Sequence, residues 1–165
     1  NDSIWGIDEE TLESNVGRLL LRRGLTVAAM ESCTGGLLAS YLTDVPGSSK
    51  YFNGGIVAYT PQIKIENGVD AAIIDEYGVI STKTAETMAN ACKKRFGTDI
   101  GLGITGVAGP DSSEGEPPGT VHISIDSPKG VYTSSHSVPG TRDFIKHRTA
   151  VITLFELQKI LQEVD

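Results

Sequence analysis

Cysteine is nearly missing from this chain: Cys33 and Cys92 are the only two in 165 residues. Two thiols cannot form a disulfide framework, so the expected setting is a reducing cytoplasm. Positive charge is also short. Fourteen lysines and arginines face 21 aspartates and glutamates, a net charge of −7, which argues against a duplex nucleic-acid binder that works by neutralising phosphates. Any anionic ligand must therefore be small and held by a local set of donors. No apolar run approaches the length of a transmembrane helix, and the first residues do not resemble a signal peptide. The three histidines have no carboxylate at ligand spacing, so neither a metal site nor a cofactor is expected.

What remains is ordinary in composition, 39% hydrophobic and 21% charged, and long enough for one domain spanning 1–165. The start at Asn1, with Ile4-Trp5-Gly6-Ile7 ahead of the first helix, fits a domain cut from a longer protein. Leu12, Val16, Leu19 and Leu20 predict a helix opened by Asp8 and closed by Gly24. The apolar run Leu25–Met30 predicts a buried strand, and Leu37, Leu38, Tyr41 and Leu42 a helix after it. Pro46–Ser49 breaks the chain, and Gly55–Tyr59 reads as a second strand. Residues 60–80 show no clear period; Tyr77–Ile80 is read as a short strand or a loop. Ser81 predicts the cap of a helix whose stripe is Ala85, Met88, Ala89, Cys92 and Phe96, closed by Gly97. Ile100–Ile104 reads as a buried strand with small residues where neighbours pack closely. Residues 111–119 form a mobile loop, and 120–125 and 131–138 a hairpin about Ser127–Gly130. A long helix from Arg142 to about Val164 buries Phe144, Val151, Leu154, Phe155 and Leu161. Alternating helices and buried strands followed by a late hairpin predict an α/β fold, a three-layer α/β/α sandwich with a mixed, mostly parallel sheet.

The chemistry is expected at Glu31-Ser32-Cys33-Thr34-Gly35-Gly36, between the first strand and the next helix. Backbone N–H groups and the helix dipole favour negative charge there, whether a phosphate or a developing oxyanion. Thr34 offers a hydroxyl, and Gly35 and Gly36 let a ligand approach the backbone. Ser32 is the leading nucleophile, in need of an activating base; otherwise it is a helix cap. Cys33 is either a reactive thiol or a small buried residue, and Cys92 is core. Tyr59 and Lys64 lie at and beyond the end of the second strand, on the side where α/β folds gather ligands. Lys64 is either a desolvated base or a solvated loop lysine. Thr105–Pro110 is a second glycine-rich turn that supplies donors or merely reverses the chain, and Arg142 could meet a phosphate or solvent.

Five motifs, Glu-Ser-Cys-Thr-Gly-Gly (31–36), Pro-Gly-Ser-Ser (46–49), Gly-Gly-Ile-Val-Ala-Tyr (54–59), Thr-Gly-Val-Ala-Gly-Pro (105–110) and Pro-Gly-Thr-Val (118–121), occur in one order and spacing. In this the chain resembles the CinA C-terminal domain family of competence/damage-inducible proteins, which includes nicotinamide-mononucleotide deamidase. The resemblance spans essentially the whole chain. It implies hydrolysis of the carboxamide of nicotinamide mononucleotide (NMN) to nicotinate mononucleotide and ammonia, with neither metal nor cofactor. It implies three catalytic residues, Ser32 as nucleophile, Lys64 as base and Tyr59 as the tyrosine that assists near the nucleophile, with Ser48, Thr105, Gly106 and Arg142 holding substrate or oxyanion. The family pattern Tyr-Ser-Asn-x-x-Lys reads here Tyr59-Thr60-Pro61-Gln62-Ile63-Lys64, so proline replaces asparagine, and the segment from Lys64 to Gly68 is one residue shorter. Longer members carry a molybdopterin-binding-like N-terminal domain, and a homo-oligomer is expected. Two other readings stand beside this one: a non-catalytic nucleotide-binding module tied to competence or DNA damage, and a serine–lysine hydrolase acting on another amide such as a peptide.

Overall fold

The computed structural model describes residues 10–163. Helix α1 (Leu12–Arg23) is capped by Thr11, whose hydroxyl accepts from the Ser14 amide while Ser14 Oγ accepts from the Thr11 amide. This corrects the expected start at Asp8, which lies outside the described residues, as does Val164 at the other terminus. A reciprocal pair of hydroxyl caps satisfies two helix donors at once, and Thr11 is where both are within reach. Gly24, at φ 64°, closes the helix as expected.

Strand β1 (Val27–Glu31) and helix α2 (Leu37–Thr43) follow, then a 3-10 turn at Ser48–Lys50 and strand β2 (Phe52–Val57). Strand β2 begins three residues and ends two residues earlier than the sequence suggests. It pairs on one side only among the described strands, and such an edge tolerates Asn53 and Gly54, residues that strands otherwise disfavour. The segment left unassigned holds two short helices, α3 (Pro61–Glu66) and α4 (Ala71–Tyr77); neither completes two turns, too little for a period to register. Gly78–Ile80 is loop. Helix α5 (Thr82–Phe96) has its Ser81 cap and Gly97 stop, and strands β3 (Ile100–Gly106), β4 (Thr120–Ser127) and β5 (Gly130–Ser137) lead to helix α6 (Arg142–Gln162).

The sheet order is β2-β1-β3-β4-β5. Strand β1 is parallel to both neighbours, while β4 runs antiparallel to β3 and to β5, so four strands share a direction and β4 opposes them. Side chains along β1 alternate between the two faces: Val27 and Ala29 join the core under α1, α2 and α6, whereas Ala28 and Met30 join that under α5. These are the three expected layers. Gly101 and Gly103 explain how closely α5 lies on the sheet, since a Cβ on either would fall 2.0 or 2.2 Å from the carbonyl oxygens of Ala89 and Ala85.

The buried face of α6 differs from expectation. Leu154 and Leu161 are buried, with Ile145, Ala150 and Leu157, but Phe144 and Phe155 are about half exposed. Thr149 and Thr153 take part of that face, because each hydroxyl donates to the carbonyl one turn back and needs no water.

Candidate active site

Strand β1 delivers the buried Glu31 to the start of α2, where its carboxylate accepts from Thr34 Oγ1 (2.7 Å), the Leu38 amide (2.9 Å) and the Ala39 amide (3.0 Å). Gly36, at the N-cap, brings no side chain of its own. The helix end expected to attract a ligand's negative charge is thus filled by one from this chain. Thr34 is turned into that cap, and Gly35 and Gly36, at φ 62° and 103°, make the turn that allows it. None of the three lines the cleft described below.

Ser32 is free of capping duty. Its amide donates to the Ile104 carbonyl (3.0 Å) and its carbonyl accepts from the Gly35 amide (3.0 Å), which pins the residue at the C-terminal end of β1 beside β3. Its hydroxyl meets Lys64 Nζ at 2.9 Å.

Lys64 arrives on α3. Thr60 caps that helix and Pro61 occupies its first turn, where the missing N–H costs nothing; the departure from the family pattern is one that suits a helix start. Lys64 is fully buried, and its Nζ also donates to the carbonyls of Ala58 (2.8 Å) and Tyr59 (3.4 Å). Burial pushes its pKa down from 10.5 to about 8, against a smaller opposite pull from the Glu114 carboxylate. A neutral amine has two hydrogens and one lone pair. Two carbonyls take the hydrogens, and the lone pair is left for the Ser32 proton.

Cys33 is buried, and that burial pushes its thiol up to about 12; it remains protonated and is a poor rival nucleophile. Cys92 is core, its thiol also raised to about 12 by burial. The histidines stand elsewhere. His122 contacts Ser135, His136 contacts Glu156 and Ser134, and His147 contacts Tyr41. Among the described residues, no three of His, Cys, Asp or Glu form a group that could hold a metal, and no helix is long and apolar enough to cross a membrane.

Ser32 and Cys33 open onto a cleft of about 500 Å³, walled by Tyr59 and Pro61, by 105–110, by Val79 and Ile80, and by Arg142. Arg142 ties two walls together, donating to Tyr59 Oη at 2.7 Å and to the Gly109 carbonyl. Thr105, also buried, donates to the Val79 carbonyl at 3.0 Å, and Gly106 lies against Thr120 and Val121. The loop expected to be mobile is tied down, for Glu114 accepts from the amides of Val79 and Ile80. Ser48, like Thr34, Gly35 and Gly36, is not among the residues that line the cleft. It precedes β2, whose first residue pairs with the first of β1, whereas Ser32 follows the last. It sits at the other end of parallel strands and does not reach the cleft. Glu31 and Glu114 went unassigned in the sequence because nothing local marks a carboxylate that folds back onto distant amides.

The CinA C-terminal domain model matches residues 9–161. A CinA-like protein of Synechocystis sp. is 47% identical over 165 residues, covering 96% of this chain and 39% of the relative. A competence-damage inducible protein of Desulforamulus reducens is 44% identical over 160 residues, again 96% of this chain and 39% of the relative. The chain therefore spans about two-fifths of the length of the curated relatives it matches. Among solved structures, a CinA superfamily protein of Klebsiella pneumoniae superposes with a TM-score of 0.90 at 26% identity, covering 93% of this chain and 97% of that one. A competence/damage inducible protein of Agrobacterium tumefaciens gives 0.84 at 31% identity, covering 92% and 96%.

Proposed function

We propose, from the premise that this chain belongs to the CinA C-terminal domain family, that it is an amidohydrolase converting NMN to nicotinate mononucleotide and ammonia. The observation that carries this reading is the contact of the buried Lys64 amine with Ser32 Oγ at 2.9 Å, at the base of an open cleft. A binding module has no use for a serine beside a desolvated lysine.

Neutral Lys64 takes the Ser32 proton as the oxygen attacks the amide carbon. The oxyanion is met by the Cys33 amide, which directly follows the nucleophile and, among the described residues, pairs with no backbone carbonyl. Lys64 then hands its proton to the departing ammonia, and a water repeats the sequence on the acyl-enzyme. Arg142 supplies positive charge at the cleft wall for the phosphate, while Tyr59, about half exposed, forms the mouth. A homo-oligomer in the cytoplasm belongs to the same reading.

The test is incubation of the chain with NMN while ammonia and nicotinate mononucleotide are followed together, with Ser32→Ala run in parallel. Turnover by the wild type alone is expected. NMN bound without turnover would replace this reading by the nucleotide-binding module, and an active Ser32→Ala would move the nucleophile elsewhere.

A further inference from the structure

Glu114 sits on the exposed connection between β3 and β4, yet its carboxylate is fixed. Oε1 accepts from the Val79 amide at 3.0 Å and Oε2 from the Ile80 amide at 3.2 Å. Gly78 lies so close that a Cβ there would fall 2.6 Å from Oε2. Three consecutive residues thus form a seat for one carboxylate, at the cost of a left-handed backbone (φ 53°) at Glu114 itself. That carboxylate lines the same cleft as Ser32. Asp111 and Arg142 line the cleft as well, so charges of both signs face one space. Two amide donors orient the Glu114 carboxylate but leave its net charge. A fixed charge at a cleft wall discriminates between ligands of one shape and different charge, the more so where the bound ligand itself excludes water.

We propose that Glu114 is a specificity-determining residue, selecting a carboxamide carried on a cationic heteroaromatic ring while Arg142 takes the anionic end of the same ligand. This rests on the amidohydrolase reading above and names what its site reads. NMN has that pattern, a pyridinium ring and a phosphate. Its reduced dihydropyridine form keeps the carboxamide, ribose and phosphate and loses the ring charge. The two compounds are therefore a matched probe pair.

Binding of each is measured by calorimetry in the Ser32→Ala background, where chemistry does not intervene, with Glu114→Gln, Glu114→Asp or Asp111→Asn added; turnover of NMN by the wild type is measured separately. The Ser32→Ala protein is expected to bind NMN about tenfold more tightly than the reduced form. Adding Glu114→Gln removes most of that preference, while Glu114→Asp and Asp111→Asn retain it. A carboxylate that merely pins the loop would weaken both ligands together under Glu114→Gln and leave their ratio unchanged, which overturns the proposal. Equal binding of the two ligands before any change at Glu114 also overturns it, as does loss of preference in Asp111→Asn alone. Absence of wild-type turnover with the preference intact brings down the amidohydrolase reading and leaves the charge selection standing.

Discussion

Among the described residues, the Ser32 hydroxyl bonds to the Lys64 amine, whose other hydrogen bonds go to carbonyl oxygens. Activity then depends on the amine being neutral. With the Lys64 pKa near 8, kcat/KM for NMN is expected to rise about tenfold per pH unit up to that point and to level off above it; a profile flat from pH 6 to 9 would contradict a lysine base. Lys64→Met is expected to lose about a thousandfold in kcat with an unchanged circular dichroism spectrum. Chelators should leave turnover as it is, and loss restored by zinc would contradict the serine–lysine route. Ser32 and Lys64 were legible as candidates because the motifs around them are specific. Glu31 was visible only as a letter in a motif, and Glu114 not at all, since each is defined by amides that lie 7 and 8 or 34 and 35 residues away.

Elements were legible where a period had room to develop. Helix α5, with its Ser81 cap, apolar stripe and Gly97 stop, agrees with expectation end to end. Helices α3 and α4 escaped because six or seven residues cannot display one, although α3 carries the base. The glycines of β3 decide how α5 sits. Gly103→Ala would place a Cβ 2.2 Å from the Ala85 carbonyl oxygen and 2.6 Å from the Ala89 amide, backbone atoms that can yield only if the helix lifts. A loss of about 3 kcal/mol in urea unfolding is expected. Gly97→Ala, with open space around it but φ at +63°, should lose only about 1 kcal/mol. Equal losses would mean that helix α5 yields to the added methyl at little cost, so that its contact with the sheet at Gly103 is not tight.

For the whole molecule, the buried amine couples stability to pH. The folded chain releases the Lys64 proton near pH 8 and the unfolded chain near 10.5, so the unfolded state holds more protons between those values and stability rises with pH through that window. Wild type should gain about 3 kcal/mol over Lys64→Met between pH 7 and 10.5 in chemical denaturation; a constant difference would mean that the amine is not desolvated. Period, glycine placement and composition, all properties of neighbouring residues, determined the α/β class, the three layers and the turn that bears Ser32. Which groups meet was decided by assembly alone. Placing β2 parallel to β1 carries Lys64 across 32 residues to Ser32 and leaves Ser48 at the far end of the same strands, because hydrogen-bond partners depend on where chain ends converge, and hydrophobic spacing carries no record of that.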